Sequence, residues 1–275
     1  MKKRVFAGIV LFFLLLSALL SCAPRTQGAL TVDVLDVGQG DAVLLSLDGH
    51  RLLVDTGSAV SRDSLLGELN RLGADKLDAI IVTHPHEDHY GNARVLLETH
   101  TVGALLLPKA SGDEAGYRLL LDIAAQSGVE IRYLTDGDTF SLQGALCEVL
   151  CPLPNDPEPN NAGLILRVRY GTCRLLLAAD AEQAAENALT ARGTDLKCDF
   201  LKVGHHGSST ACSRSFLQAT MPKIAAISCA ADNDYGFPHK EVLDGLAAVG
   251  ATVYRTDLLG TVRFICDGKS VMYEK

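Results

Sequence analysis

An excess of positive charge is missing: 25 Lys and Arg stand against 33 Asp and Glu, giving a formal net charge of -8 over 275 residues. A nonspecific nucleic-acid binder gains affinity by neutralising phosphates with clustered basic residues, so a high-affinity polyanion receptor is disfavoured. Metal ions or a local basic patch can still reverse the charge of a cleft. Tryptophan is absent. No short-period repeat is visible, which argues against solenoid and propeller architectures. Zinc-knuckle spacing is missing too, because Cys147 and Cys151 have neither the interval nor the partners of such a site. The long apolar run Val5 to Leu16 is short for a stable membrane span.

That run follows Lys2, Lys3 and Arg4 and leads through small residues to Cys22, the layout of a bacterial export signal. Leu19-Leu20-Ser21-Cys22 resembles the lipobox of bacterial lipoproteins. The resemblance implies a signal over residues 1–21, lipidation of Cys22, and a lipid anchor that holds the body outside the cytoplasm on the cell membrane. An uncleaved signal anchor and ordinary secretion are the alternatives. Residues 22–29, with Pro24, Thr26, Gln27 and Gly28, read as a tether. Residues 30–275 read as one domain with a sizeable core. Cysteines other than Cys22 are odd in number, so complete internal pairing is forbidden; buried free thiols are expected, with one or two disulfides open.

From Leu30 the pattern predicts strands over Leu30–Val37, Asp41–Leu47 and Arg51–Asp55, separated by Gly38-Gln39-Gly40 and Asp48-Gly49 turns. A helix over Ser61–Leu72 and a buried strand over Leu77–Val82 follow, and the strand ends at a histidine cluster. Next come a helix to Glu98, a strand Val102–Leu107, a helix Glu114–Ser127 and a strand Glu130–Leu134. The second half opens with strands near Thr139–Ser141 and Ala145–Cys151, a loop Pro152–Asn161, and strands Gly163–Tyr170 and Thr172–Ala179. It continues with a helix Ala181–Arg192, a strand Asp199–Val203, a Gly204-His205-His206-Gly207 turn, and further helices at Ser213–Ala219 and Lys240–Val249. Strands at Lys223–Ser228, Thr252–Thr256, Thr261–Cys266 and Val271–Tyr273 complete the pattern. An α/β architecture of two mixed sheets packed face to face with helices outside satisfies this order.

Thr83-His84-Pro85-His86-Glu87-Asp88-His89 packs three imidazoles and a carboxylate into one turn after a buried strand. In the extended part His84 and His86 point the same way, while Asp88 and His89, at the opening of the next helix, turn to a neighbouring point. One divalent ion can sit on each set. Imidazole and carboxylate ligands suit zinc, with manganese as an alternative where oxygen ligands are numerous. The bland explanation, helix capping on a polar surface, is rare for so dense a motif.

His84-Pro85-His86-Glu87-Asp88-His89 matches the HxHxDH signature of the metallo-β-lactamase superfamily. Asp55 in Val-Asp-Thr-Gly, Asp180 in Leu-Ala-Ala-Asp and His205 in Val-Gly-His-His-Gly-Ser resemble its other motifs. Leu35 to Ala42, Asn160-Asn161, Lys202 to Ser208 and Tyr235-Gly-Phe-Pro-His239 resemble the extracellular hydrolase domain of ComEC-type competence DNA-uptake proteins. The many-helix channel has no counterpart here, so the resemblance carries the hydrolase and not transport. It implies a four-layer αββα sandwich. It also implies two metals, one on His84 and His86, the other on Asp88, His89 and His205, with Asp180 bridging. A third histidine for the first metal has no obvious counterpart; Asn161 resembles the residue in that region. Phe237 stands where many relatives carry histidine, a departure that narrows the cleft or changes the substrate.

A water shared by two cations about 3.5–4 Å apart is ionised near neutral pH and attacks in line, chemistry that suits phosphodiesters. Asp55 either orients the ligand loop through hydrogen bonds or closes a strand-end turn. His206 is expected to hold substrate or protonate the leaving group. Ser208 either hydrogen-bonds a phosphate oxygen or caps a helix. Lys202 either neutralises substrate charge or sits exposed on its strand. His239 matches a position near the site, and Asp36 and Asp41 are expected to fix turns near the cleft rather than bind metal. The leading expectation is an exported phosphodiesterase, with extracellular DNA as its substrate. The alternatives are a hydrolase of another ester, such as a phosphocholine-type wall ester or a lactone, and a low-turnover metal-dependent binding lipoprotein.

Overall fold

A computed structural model describes residues 28–109 and 115–275. The proposed signal, Cys22 and all but the end of the tether lie outside them, as does Glu114 at the start of an expected helix. Alternating apolar and polar residues form strands because successive side chains face opposite sides of a sheet. Fifteen strands result among the described residues: β1 Leu30–Val34, β2 Val43–Leu47, β3 His50–Val54, β4 Lys76–Ile81, β5 Thr101–Pro108, β6 Glu130–Leu134, β7 Thr139–Leu142, β8 Ala145–Leu150, β9 Ile165–Tyr170, β10 Cys173–Leu177, β11 Phe200–Lys202, β12 Ile224–Ile227, β13 Thr252–Arg255, β14 Val262–Cys266 and β15 Val271–Glu274.

They build two sheets, ordered β15-β14-β1-β2-β3-β4-β5-β6 and β13-β12-β11-β10-β9-β8-β7. Each is antiparallel over its hairpins and parallel where strand-helix units follow, from β3 to β6 and from β10 to β13. The intervening helices are α1 Arg62–Arg71, α2 Glu87–Tyr90, α3 Ala93–Thr99, α4 Ala115–Ser127, α5 Pro159–Ala162, α6 Gln183–Ala191, α7 Arg214–Thr220, α8 Lys240–Ala248 and α9 Thr256–Leu259.

Three cores follow from strand parity. Val32, Leu45, Val54, Leu166, Leu175 and Phe200 meet in the layer between the sheets. Leu44, Leu53 and Ile80, on the opposite face of the first sheet, pack under helices through Leu65, Leu69 and Leu120. Leu176 and Leu201 do the same in the second sheet, beneath Leu189, Phe216 and Leu246. Helix, sheet, sheet and helix make the four expected layers. Among the described residues no helix is long and apolar enough to cross a membrane, and Cys147, Cys151, Cys173, Cys198, Cys212, Cys229 and Cys266 are free and buried.

Local departures from the sequence pattern gather where the layers open. β1 stops at Val34 and β2 starts only at Val43, because the Gly38-Gln39-Gly40 segment curls against the histidine loop. A Cβ on Gly40 would lie 2.6 Å from the Asp88 carbonyl oxygen. The single helix expected up to Glu98 is broken into α2 and α3 at Gly91-Asn92. Buried Asn92 donates from Nδ2 to the carbonyls of Thr56 (2.9 Å) and Ser58 (2.7 Å), tying the helix to the loop after β3. The short helices α5 and α9 arise inside segments expected to be irregular or extended.

Candidate metal centre

The site lies at strand ends, where the chain adopts conformations that L-residues rarely choose. Asp55, just past β3, has φ 60°; Ala179, before Asp180, has φ 49°; His205 and His206 have φ 47° and 52°. Such left-handed positions cost of order 1–3 kcal/mol each and collect where geometry matters more than local stability. Two consecutive histidines in this region aim their rings in different directions.

Three buried imidazoles converge on Asp180. His84 has its Nδ1 beside Thr83 Oγ1 at 3.1 Å and its Nε2 3.9 Å from Asp180 Oδ2. His89 places Nδ1 2.8 Å from Asp55 Oδ2 and Nε2 3.3 Å from Asp180 Oδ1. His206 donates from Nδ1 to the Ser228 carbonyl at 3.0 Å, with Asp41 Oδ1 3.3 Å from the same nitrogen. Its Nε2 faces Asp88 Oδ2 at 3.2 Å and Asp180 Oδ2 at 3.6 Å. In each ring an oxygen occupies Nδ1 and turns Nε2 inward, the arrangement by which proteins orient imidazole ligands. His86 completes the group, its Nδ1 3.1 Å from His84 Nε2.

Donor chemistry and burial both fit divalent ions. One ligand atom each from Asp88, His89, Asp180 and His206 lies within 4.8 Å of the others. His89 Nε2 and Asp180 Oδ1 are buried without a hydrogen-bond partner, a cost that a bound cation removes. A mixed imidazole and carboxylate set suits zinc.

Electrostatics point the same way. Burial opposes ionisation of Asp180, but His89 and His206 outweigh it and hold the carboxyl well below its ordinary range. Asp88 is lowered to about 2, with burial again overcome by His206 and His89. Burial and the neighbouring His89 push His84 well below its usual value, so it stays a neutral acceptor. For His89 and His206 burial is outweighed by carboxylates: Asp180 and Asp55 raise the former, and Asp180 and Asp41 raise the latter to about 10. A cation at these two rings must displace protons, so affinity should fall as pH falls. A chelator-competition titration of zinc into apoprotein is expected to show at least about tenfold weaker binding per pH unit between pH 8 and 6.

The remaining expected site residues are distributed differently. Asp55 takes the orienting role: Oδ1 accepts from Thr83 N and Oδ2 from Thr83 Oγ1, both at 2.8 Å, besides meeting His89. His205, the late histidine of the resemblance, is less buried than His206. It sets Nδ1 against Glu182 (3.2 Å) and Thr210 (3.1 Å), with Nε2 3.8 Å from Asp180. Lys202 is neither exposed nor turned to a cleft. It shares strand parity with Phe200, lies between the sheets at 1% exposure, and donates from Nζ to Asp41 Oδ2 at 2.8 Å. Asp41 therefore does more than fix a turn.

Ser208 is buried and its Oγ accepts from Thr210 N, a turn contact that supports His205. Asn161 Oδ1 accepts from Ala185 N, bracing α5 on α6. His239 Nδ1 accepts from Ser209 N at 2.8 Å and anchors the turn's far side. Thr83, Asn92 and Ser228 support the site through contacts that the sequence does not encode in spacing; their only signal there is a hydroxyl or amide side chain close to a motif or a strand end.

Residues 35–231 match the metallo-beta-lactamase superfamily. The chain is 35% identical over 252 residues to ComE operon protein 3 of Bacillus subtilis, covering 85% of this chain and 32% of that one. It is 30% identical over 256 residues to competence protein ComA of Neisseria gonorrhoeae, covering 91% and 35%. The chain thus spans about a third of the length of these curated relatives. A solved diphosphatase of the PhnP family shares the fold with TM-score 0.52 at 18% identity, over 87% of this chain and 99% of that one. Fold, motif order and matched residues agree that the chain belongs to the metallo-beta-lactamase superfamily of hydrolases.

Proposed function

We propose that this chain is a phosphodiesterase holding two divalent ions, zinc or alternatively manganese. His84 and His86 would hold one, and Asp88, His89 and His206 the other, with Asp180 between them. The carrying observation is the convergence of three buried imidazole Nε2 atoms on one carboxylate, each ring fixed through Nδ1. Bound there, the two ions would lower the pKa of the attacking water and neutralise the phosphoryl oxygens.

The chain's own residues supply the rest. Asp55 and the Ser228 carbonyl fix the rings of His89 and His206, and Asp41 sets its charge beside the latter. His205, partly open to solvent and backed by Glu182, would protonate a departing alkoxide, the role the sequence assigned to its neighbour. DNA is the proposed polymer substrate, supported by similarity to a protein named for competence. Export and anchoring through Cys22 belong to the same proposal and rest on the lipobox resemblance.

Purified protein loaded with zinc or manganese should carry about two ions and cleave bis(p-nitrophenyl) phosphate and DNA, with activity lost on chelation and restored by metal. Less than one ion bound and neither substrate cleaved would overturn the hydrolase reading. Cleavage of the small ester alone would overturn DNA as substrate.

A further inference from the structure

Beside the histidines a ladder of rings leads out of the site. Phe237 lies nearly parallel to His206, centroids 6.4 Å apart at 24°, and Tyr235 continues the stack at 5.2 Å and 15°. The ladder ends on Tyr235, which is 64% exposed. A large aromatic ring so open loses apolar burial unless a ligand covers it.

The ladder is held rigidly. Asn233 donates from Nδ2 to the carbonyls of Ala230 (2.9 Å) and Phe237 (2.8 Å) and accepts from Phe237 N at 2.8 Å. Pro238 is buried against Gly207, where a Cβ would lie 2.5 Å from the proline Cβ and φ is +84°. Glycine at 207 thus lets the loop press onto the histidine turn and sets Phe237 over His206. A ledge fixed before binding spends little entropy on a ligand.

Resting on the phosphodiesterase reading, we propose that Tyr235 and Phe237 form a stacking ledge for an unpaired nucleobase next to the phosphodiester at the metal centre, so that the substrate is single-stranded. Paired bases have their faces covered by neighbours, and extruding one costs a few kcal/mol. Asp232 and Asp234 flank the ledge and are exposed, so the contact there has to come from the aromatic face, where stacking contributes about 1–3 kcal/mol per base.

The absence of tryptophan gives a direct readout, because Tyr235→Trp places a single indole on the ledge. Its fluorescence should be quenched by oligothymidylate of about eight nucleotides, and far less by an abasic oligonucleotide of equal length or by a blunt duplex. In turnover, Tyr235→Ala should raise KM for the single-stranded oligonucleotide about tenfold with kcat little changed, while Tyr235→Phe restores the wild-type value. Equal quenching by thymidylate and abasic strands, no quenching at all, or an unchanged KM in Tyr235→Ala would overturn the ledge. Selective quenching without cleavage would keep the ledge and sink the phosphodiesterase reading instead.

Discussion

His206→Ala is expected to lower kcat on every phosphodiester at least about a thousandfold and to reduce bound zinc from about two ions to about one. The inward Nε2 of His206, between Asp88 and Asp180, is then lost with nothing to replace it. His205→Ala should behave differently. Metal content stays near two, and the loss in kcat, about a hundredfold, falls on DNA, whose alkoxide leaving group needs a proton. Bis(p-nitrophenyl) phosphate releases a stable phenolate and should be cleaved almost normally. Measuring zinc stoichiometry and both substrates in the two variants separates ligand from acid. If His205→Ala loses the ion and His206→Ala keeps it, the assignment is reversed and the motif alignment that placed the ligand at His205 is restored.

The two histidines could not be told apart in the sequence because their difference is a backbone property. Neighbouring left-handed residues bury one ring against Asp88 and Asp180 and leave the other partly open to solvent, and no side-chain pattern encodes that. His84, His86, Asp88 and His89 were legible because they fall in one loop, where spacing alone brings them together. The sheets were legible for a related reason: alternation within each strand is local, and the third core takes the strand positions that alternate with those of the first. Asp55 was half legible, since its partners Thr83 and His89 lie beyond one helix and one strand. The break at Asn92 was hidden, because an amide looks polar and exposed until the loop it grips is known.

Lys202→Met should destabilise the metal-loaded protein by about 3–5 kcal/mol, the cost of leaving a buried carboxylate without its cation. Here the sequence did hold a clue, because Lys202 shares a face with the core residue Phe200, but its partner Asp41 is 161 positions away. Burial opposes the charge on Asp41, yet Lys202 and then His206 keep its carboxyl below the usual range. A depressed folded pKa stabilises the protein above the unfolded value, about 3.9, and that stabilisation is lost as pH falls through the folded one. Wild type should therefore keep this contribution down to about pH 4. Removing the ammonium takes away the largest charge opposing desolvation and leaves only His206 and His89 against it, so the Asp41 pKa rises and the carboxylate becomes costliest at high pH. The urea midpoint of Lys202→Met should lie far below wild type at pH 8 and draw nearer at pH 5. Asp41→Asn combined with Lys202→Met should recover much of the loss, because no uncompensated charge remains. A single variant as stable as wild type at pH 8 would mean that the buried pair does not hold the two sheets together over the metal centre.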